Sequence, residues 1–173
     1  MNNRRDTDQL INVYSTWWLR LLDKNGNIKH QVEARNLVTT QGKNFLLDVM
    51  FHGTAALGTW YVVLWSGSHT PVITDVYATP GYTELNTVYD DATRPAYSEA
   101  AASAGVMTNA ANRAAFTFNA AASITGLALV GGSSTKGDTA SGTGILFSST
   151  KLGSSFTAAN DDVVNVLGTL TAA

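Results

Sequence analysis

The sequence predicts an all-β fold: a two-sheet β-sandwich carrying one short helix near residues 40–51. Three observations lead there. In NRAAFTFNAAASITGLALVGGSS (112–134), Ala114, Phe116 and Phe118 fall on one side of an extended chain, with Arg113, Ala115 and Thr117 on the other. That two-residue period outweighs the helical preference of so many alanines. WYVVLW (60–65) is apolar but too short for a helix, and ILFSSTKL (145–152) and DVVNVLGTLTA (162–172) continue the β pattern. Turn-forming stretches separate these runs. Each sheet has one apolar face to hide and a lone hairpin cannot hide it, so two sheets must pack together. Jelly-roll order and other Greek-key orders both fit this periodicity.

The elements follow in chain order. VYSTWWLRLL (13–22) is rich in β-formers, and Asn25-Gly26 within DKNGN supplies the positive φ angles of a tight hairpin. The return strand is IKHQVEA (28–34), with Ile28, His30, Val32 and Ala34 on one face. TTQGKNFLLDVMF (39–51) changes period: Phe45, Leu46, Val49 and Met50 share a helical face, and Thr39 or Thr40 can cap the first turn. Gly53 ends that helix. Residues 66–112 carry all three prolines, Pro71, Pro80 and Pro95, and read as short strands with excursions. GGSSTKGDTASGTG (131–144) reads as a flexible polar loop. The organisation expected is a flexible arm at 1–12 followed by a single sandwich domain at 13–173.

Composition bounds the function. Hydrophobic residues make up 45% of the chain and charged residues 14%, against about a quarter charged in ordinary soluble proteins. The surface must therefore be largely Ser, Thr, Asn, Gly and Ala, and it repels neighbours weakly. That suits a homo-oligomer, though Ser- and Thr-rich β domains also occur alone. The net charge of -2 gives no field to gather nucleic acid. Basic residues concentrate before residue 44. Arg4 and Arg5 are either a solvated terminus or an arm that lies on an acidic neighbour. The absence of cysteine excludes disulfides and thiolate metal sites. MNNRRDTDQL has no signal-peptide core, and nowhere do about twenty apolar residues run together, so no membrane partner is expected and synthesis in a cytoplasm is.

Catalytic and ligand-binding patterns are weak. SGSH (66–69) offers Ser66, Ser68 and His69 but lacks the G-x-S-x-G elbow, so a polar turn is the better reading. His30, His52 and His69 have neither an i, i+4 partner nor a nearby carboxylate for zinc. GGSSTK fails the phosphate-loop spacing because Thr135 precedes Lys136. Asp90-Asp91 and Asp161-Asp162 lack the alternating acidic loop of a calcium site and read as turn residues. Trp17, Trp18, Trp60 and Trp65 could form a sugar platform. Trp17 and Trp18, however, point to opposite sides of a strand, which favours one in the core and one at an interface. No enzyme activity and no cofactor are expected.

GYTELNTVYDDATRPAYSEAAASAGVMTNAANRAAFTFNAAASITGLALVGG (81–132) resembles small virion structural proteins of tailed bacteriophages. The matching positions are Gly81, Tyr82, Thr83, Glu84, Tyr89, Ala92, Thr93, Arg94, Asn109, Phe116, Phe118, Ile124 and Gly126, and NLVTTQGKNFLLDVMF (36–51) looks like the start of that family. The resemblance implies a capsid cement or decoration protein, located on the capsid exterior, whose partners are the major capsid protein and copies of itself. A minor tail, connector or baseplate component is the alternative, and a carbohydrate-binding module in host recognition is a second. The candidate contact residues are Arg4, Arg5, Trp17, Trp18, Tyr77, Tyr82, Tyr89, Arg94 and Tyr97. Arg94 is expected to pair with Glu84 or Glu99, either pinning the irregular loop or as an ordinary surface pair. Phe116 and Phe118 are expected to fill the sandwich, with Gly126 permitting close backbone approach.

Overall fold

The computed structural model describes residues 12–139 and 143–173. All but one residue of the expected 1–12 arm lies outside that range. Asn12 itself exchanges backbone hydrogen bonds with Ala173, at 2.6 and 3.0 Å.

Strand β1 (Val13–Leu22) turns Ser15, Trp17, Leu19 and Leu21 inward, as its alternation requires, and pairs with β2 (Ile28–Arg35). The hairpin stands where the sequence places it, but its turn is built differently. Only Gly26 takes a positive φ, +84°. Asp23 does the rest: its carboxylate accepts from the Asn25 and Asn27 amides at 2.8 and 2.9 Å. The Asn27 side-chain amide, which donates to the other carboxylate oxygen at 3.0 Å, and these backbone bonds favour the ionised form and hold the Asp23 pKa below its ordinary value.

After the two-residue β3 (Leu37–Val38) comes helix α1 (Thr40–Phe51), capped by the Thr39 hydroxyl, which accepts from the Gly42 amide at 3.0 Å. Gln41 fixes the helix to its surroundings. Its side-chain oxygen accepts from the Tyr77 and Leu146 amides, at 2.9 and 2.8 Å. The remaining strands are β4 (Trp60–Ser66), β5 (Thr83–Glu84), β6 (Val106–Thr108), β7 (Ala114–Thr117), β8 (Ala122–Gly131), β9 (Ile145–Ala158) and β10 (Val163–Ala172).

All these strands pair antiparallel, in two sheets. One runs β2-β1-β10, with β6 and β7 lying end to end along the far edge of β10. The other runs β3-β9-β8-β4-β5. The chain is therefore an all-β two-sheet sandwich. The first and last strands zip together over their whole length, from Val13 opposite Ala172 to Leu22 opposite Val163. No helix among the described residues is long and apolar enough to cross a membrane.

Phe116, Phe118, Trp17, Leu19 and Val164 meet Val62, Leu64, Ile124 and Leu129 between the sheets. Strands β7 and β8, adjacent in sequence, do not pair with each other. The first joins β10 and the second joins β4 and β9, so the turn between them crosses from sheet to sheet. Strand β4 is buried on both faces: Val62 and Leu64 face the sandwich core, while Val63 and Trp65 face a second cluster with Tyr77, Ala128, Val130 and Leu146. The irregular chain after β4 thus forms a third layer over the second sheet. Short strands account for little of it. Beyond β5 and β6 it makes only isolated bridges such as Tyr61 with Ala96 and Tyr89 with Phe118.

In both sheets a tryptophan is laid over a glycine on the neighbouring strand. Trp17 sits opposite Gly168 and Trp65 opposite Gly126, and a Cβ on either glycine would run into the indole. Gly168→Ala and Gly126→Ala should each cost about 1–3 kcal/mol by forced displacement of a packed ring. Gly153→Ala, which meets open space, should stay within about 0.5 kcal/mol. Urea unfolding of the three variants checks this, and equal effects at all three positions would refute the packing account.

Candidate interaction site

Two features stand out, a buried polar cluster and an exposed apolar face. The cluster centres on Arg94, whose residue is 2% exposed. Its guanidinium uses all five N–H groups. Nε and Nη2 donate to the two Glu84 carboxylate oxygens at 2.9 and 2.6 Å. Nη1 donates to the Tyr77 hydroxyl at 2.7 Å and the Ser133 carbonyl at 3.0 Å, and Nη2 also donates to the Asp138 carbonyl at 2.9 Å. Burial opposes the charge, but the Glu84 and Tyr77 contacts outweigh it and the pKa is raised above the ordinary value. Of the two acids expected to pair with Arg94, Glu84 is the one bonded.

The Arg94 amide donates to the Ser134 carbonyl at 2.8 Å. Lys136 sits 4.2 Å from the centre of the Tyr89 ring and donates to the Tyr89 carbonyl at 3.1 Å. Contrary to the flexible loop read from composition, the stretch after β8 is clamped from Ser133 to Asp138. It supplies the carbonyls that fill the arginine fork.

This geometry relocates most of the contact residues suggested by the sequence. Tyr77, Tyr89, Arg94 and Tyr97 are buried within the chain, so they build the third layer and the core rather than an outer surface. Tyr82, half-buried, stacks on Trp65 with ring centres 5.2 Å apart. Tyr97 packs 5.6 Å from Trp17 and donates its hydroxyl to the Gly168 carbonyl. Desolvation pushes the Tyr82, Tyr89 and Tyr97 hydroxyls above their ordinary pKa. Trp17 is fully buried. Trp18, on the opposite face of β1, is half-buried and donates to Glu33 at 3.1 Å. Arg4 and Arg5 lie outside the described residues.

The weaker chemical patterns also find places. His69 Nε2 lies 2.8 Å from Asp75, which itself accepts from the Val72 amide. Among the described residues no side-chain hydroxyl hydrogen-bonds to this histidine, so the pair closes a loop instead of activating Ser68. His30 packs on Phe156, and His52 caps the end of α1. Asp162 accepts from Lys29 at 2.6 Å and from the Ala159 amide, which orders the β9–β10 turn. No group of three His, Asp or Glu side chains among the described residues could hold a metal ion.

The exposed face belongs to α1. Of the helical face read from the sequence, Phe45, Leu46 and Val49 turn inward, where they line an apolar cavity of about 380 Å³ together with Trp60, Phe147 and Leu170. Met50 does not join them: it is 65% exposed, beside Leu47 at 55% and Phe51 at 79%. One helical step of about 100° carries Met50 past Val49 and out of the inward face. The outward row is a site the sequence reading missed. Its signal was present, because Leu47 and Phe51 are apolar yet stand outside the face shared by Phe45, Leu46 and Val49. Val72 and Ile73, also exposed, lie at the other end of α1, where the Thr40 amide donates to the Ile73 carbonyl at 2.8 Å.

No family profile matches this chain, and no curated protein is significantly similar to it.

Arg94→Ala strands the Glu84 carboxylate and two carbonyls in the interior, which should cost about 3–5 kcal/mol. Arg94→Lys should recover only part, since an ammonium cannot reproduce the fork. Denaturant unfolding of both checks the order. The tyrosines give a second expectation. Their raised folded pKa means stability is fully present below the unfolded tyrosine value of about 10 and is lost as pH rises past it. Tyrosinate absorbance should then rise together with unfolding, and ionisation of all tyrosines before the fold melts would refute the burial of these hydroxyls.

Proposed function

We propose that this chain is a non-enzymatic structural subunit of a tailed-phage virion, a cement protein that binds the outside of the major capsid protein shell and bridges neighbouring subunits. The observation that carries the reading is the apolar surface that the fold leaves uncovered, Leu47, Met50 and Phe51 on α1, with Val72 and Ile73 exposed at the other end of the helix. Isolated surface apolars are ordinary, but a contiguous group on a helix marks a contact surface. The low charge content adds to this, because a weakly ionised skin permits close packing among protein neighbours. The likeness of residues 81–132 to virion structural proteins points to the same setting.

The polar groups that might have done chemistry are committed to holding the fold: Arg94 to four partners, His69 to Asp75, and Lys29 to Asp162. Repetition makes cement binding effective, since a subunit touching several neighbours gains effective concentration at each further contact.

Copy number in purified virions, measured by quantitative mass spectrometry, tests the proposal. A count comparable to the major capsid protein is the expected result, together with saturable binding of purified protein to emptied heads. A handful of copies per particle would move the assignment to the tail or baseplate, and absence from the particle would end it.

A further inference from the structure

We propose that the outward face of α1 is a self-association surface, on which a second copy of this chain lays its own α1 antiparallel about a two-fold axis passing near Leu47. The inference rests on the assembly reading above and deepens it by naming one interface and its symmetry.

Three observations on the helix lead to an antiparallel copy of itself. The first is the apolar row. At 100° per residue Leu47 lies at the centre of the outward face, with Phe51 and Lys43 about 40° to either side and Met50 about 60° away. Leu47, Met50 and Phe51 are each more than half exposed, and at i, i+3 and i+4 they form one continuous ridge, the unit by which helices pack.

The second observation is charge. α1 has no acidic residue in its first turn and no basic residue in its last. Lys43 closes the first turn and Asp48 opens the last, so both charges sit at the wrong ends for the helix's own dipole. An antiparallel copy corrects the first of these. With the axis near Leu47, Lys43 lies across from Phe51 in the other helix's last turn, at its negative end, while Asp48, one residue from the axis, stays at mid-helix and to the side of the contact. A parallel neighbour would leave Lys43 beside another first turn.

The third is the placement of the other exposed apolar residues. Val72 and Ile73 lie next to the first turn of α1, the end over which an antiparallel copy brings the chain just past its Phe51. A two-fold contact is self-complementary and closes at two copies, so it does not run on into fibres.

The test uses the absence of cysteine from the chain. Leu47→Cys places one thiol next to the proposed axis, and Ser154→Cys places one on an exposed part of β9. Under mild oxidation the first should form a covalent dimer rapidly and the second should not, because a disulfide needs Cβ atoms about 4 Å apart. Sedimentation of the unmodified protein should show a monomer–dimer equilibrium. Leu47→Asp and Phe51→Asp should weaken it by roughly thirtyfold or more, the loss expected of a central apolar anchor. Both positions are solvent-facing in the single chain, so thermal melts of the dilute variants should match the parent and exclude misfolding as the cause.

A strictly monomeric parent, equal cross-linking at the two cysteines, or a dimer indifferent to both aspartates would overturn the inference. Dimers that form this way but never bind phage heads would leave it standing and remove the capsid assignment instead. A monomer that binds heads through Leu47 would do the reverse.

Discussion

The structure depends on covering both faces of one sheet. Strands β4, β8 and the first half of β9 are buried on both sides, and only one side meets the other sheet. The second side is closed by chain with almost no regular secondary structure. Such chain cannot satisfy its own backbone groups through a ladder, and buried carbonyls without partners are costly. Arg94 answers that constraint. One planar cation reaches a carboxylate, a phenol and two carbonyls from separate segments, binding the irregular layer to itself and to the loop after β8. A buried ion pair is a weak source of stability beside an apolar isostere. Here its geometry fixes which loop lies where.

Tryptophan and glycine supply the corresponding constraint within the sheets. Trp17 and Trp65 each lie over a glycine of the adjoining strand, and Tyr97 and Tyr82 respectively pack against their rings. Large rings therefore fill the interior without pushing the strands apart. The two sites sit on opposite sides of the molecule's layers, one in the sandwich core and one in the outer cluster. Bulky aromatics and a third layer consume the tyrosines that looked, in sequence, like a contact surface. Among the described residues the helix keeps an exposed apolar row; it is attached through Thr39, Gln41 and Gly42 at one end and stands over a cavity along the rest. The proposed contact role rests on that row.

The sequence by itself determined the local elements. Alternation at Ala114, Phe116 and Phe118, the place of the hairpin at residues 23–27, a threonine cap at Thr39 or Thr40 and the opposed faces of Trp17 and Trp18 are all properties of a few neighbouring residues, and the period of a side-chain pattern is set by the backbone alone. Tertiary structure decided the rest. That β7 and β8 part into different sheets, that Arg94 takes Glu84 and not Glu99, that the tyrosines of the irregular segment point inward, and that Leu47 and Phe51 are left outside all depend on which distant segments meet. Periodicity tells which residues share a face. It does not tell what that face will be packed against, because burial is a property of pairs of surfaces brought together by the whole chain.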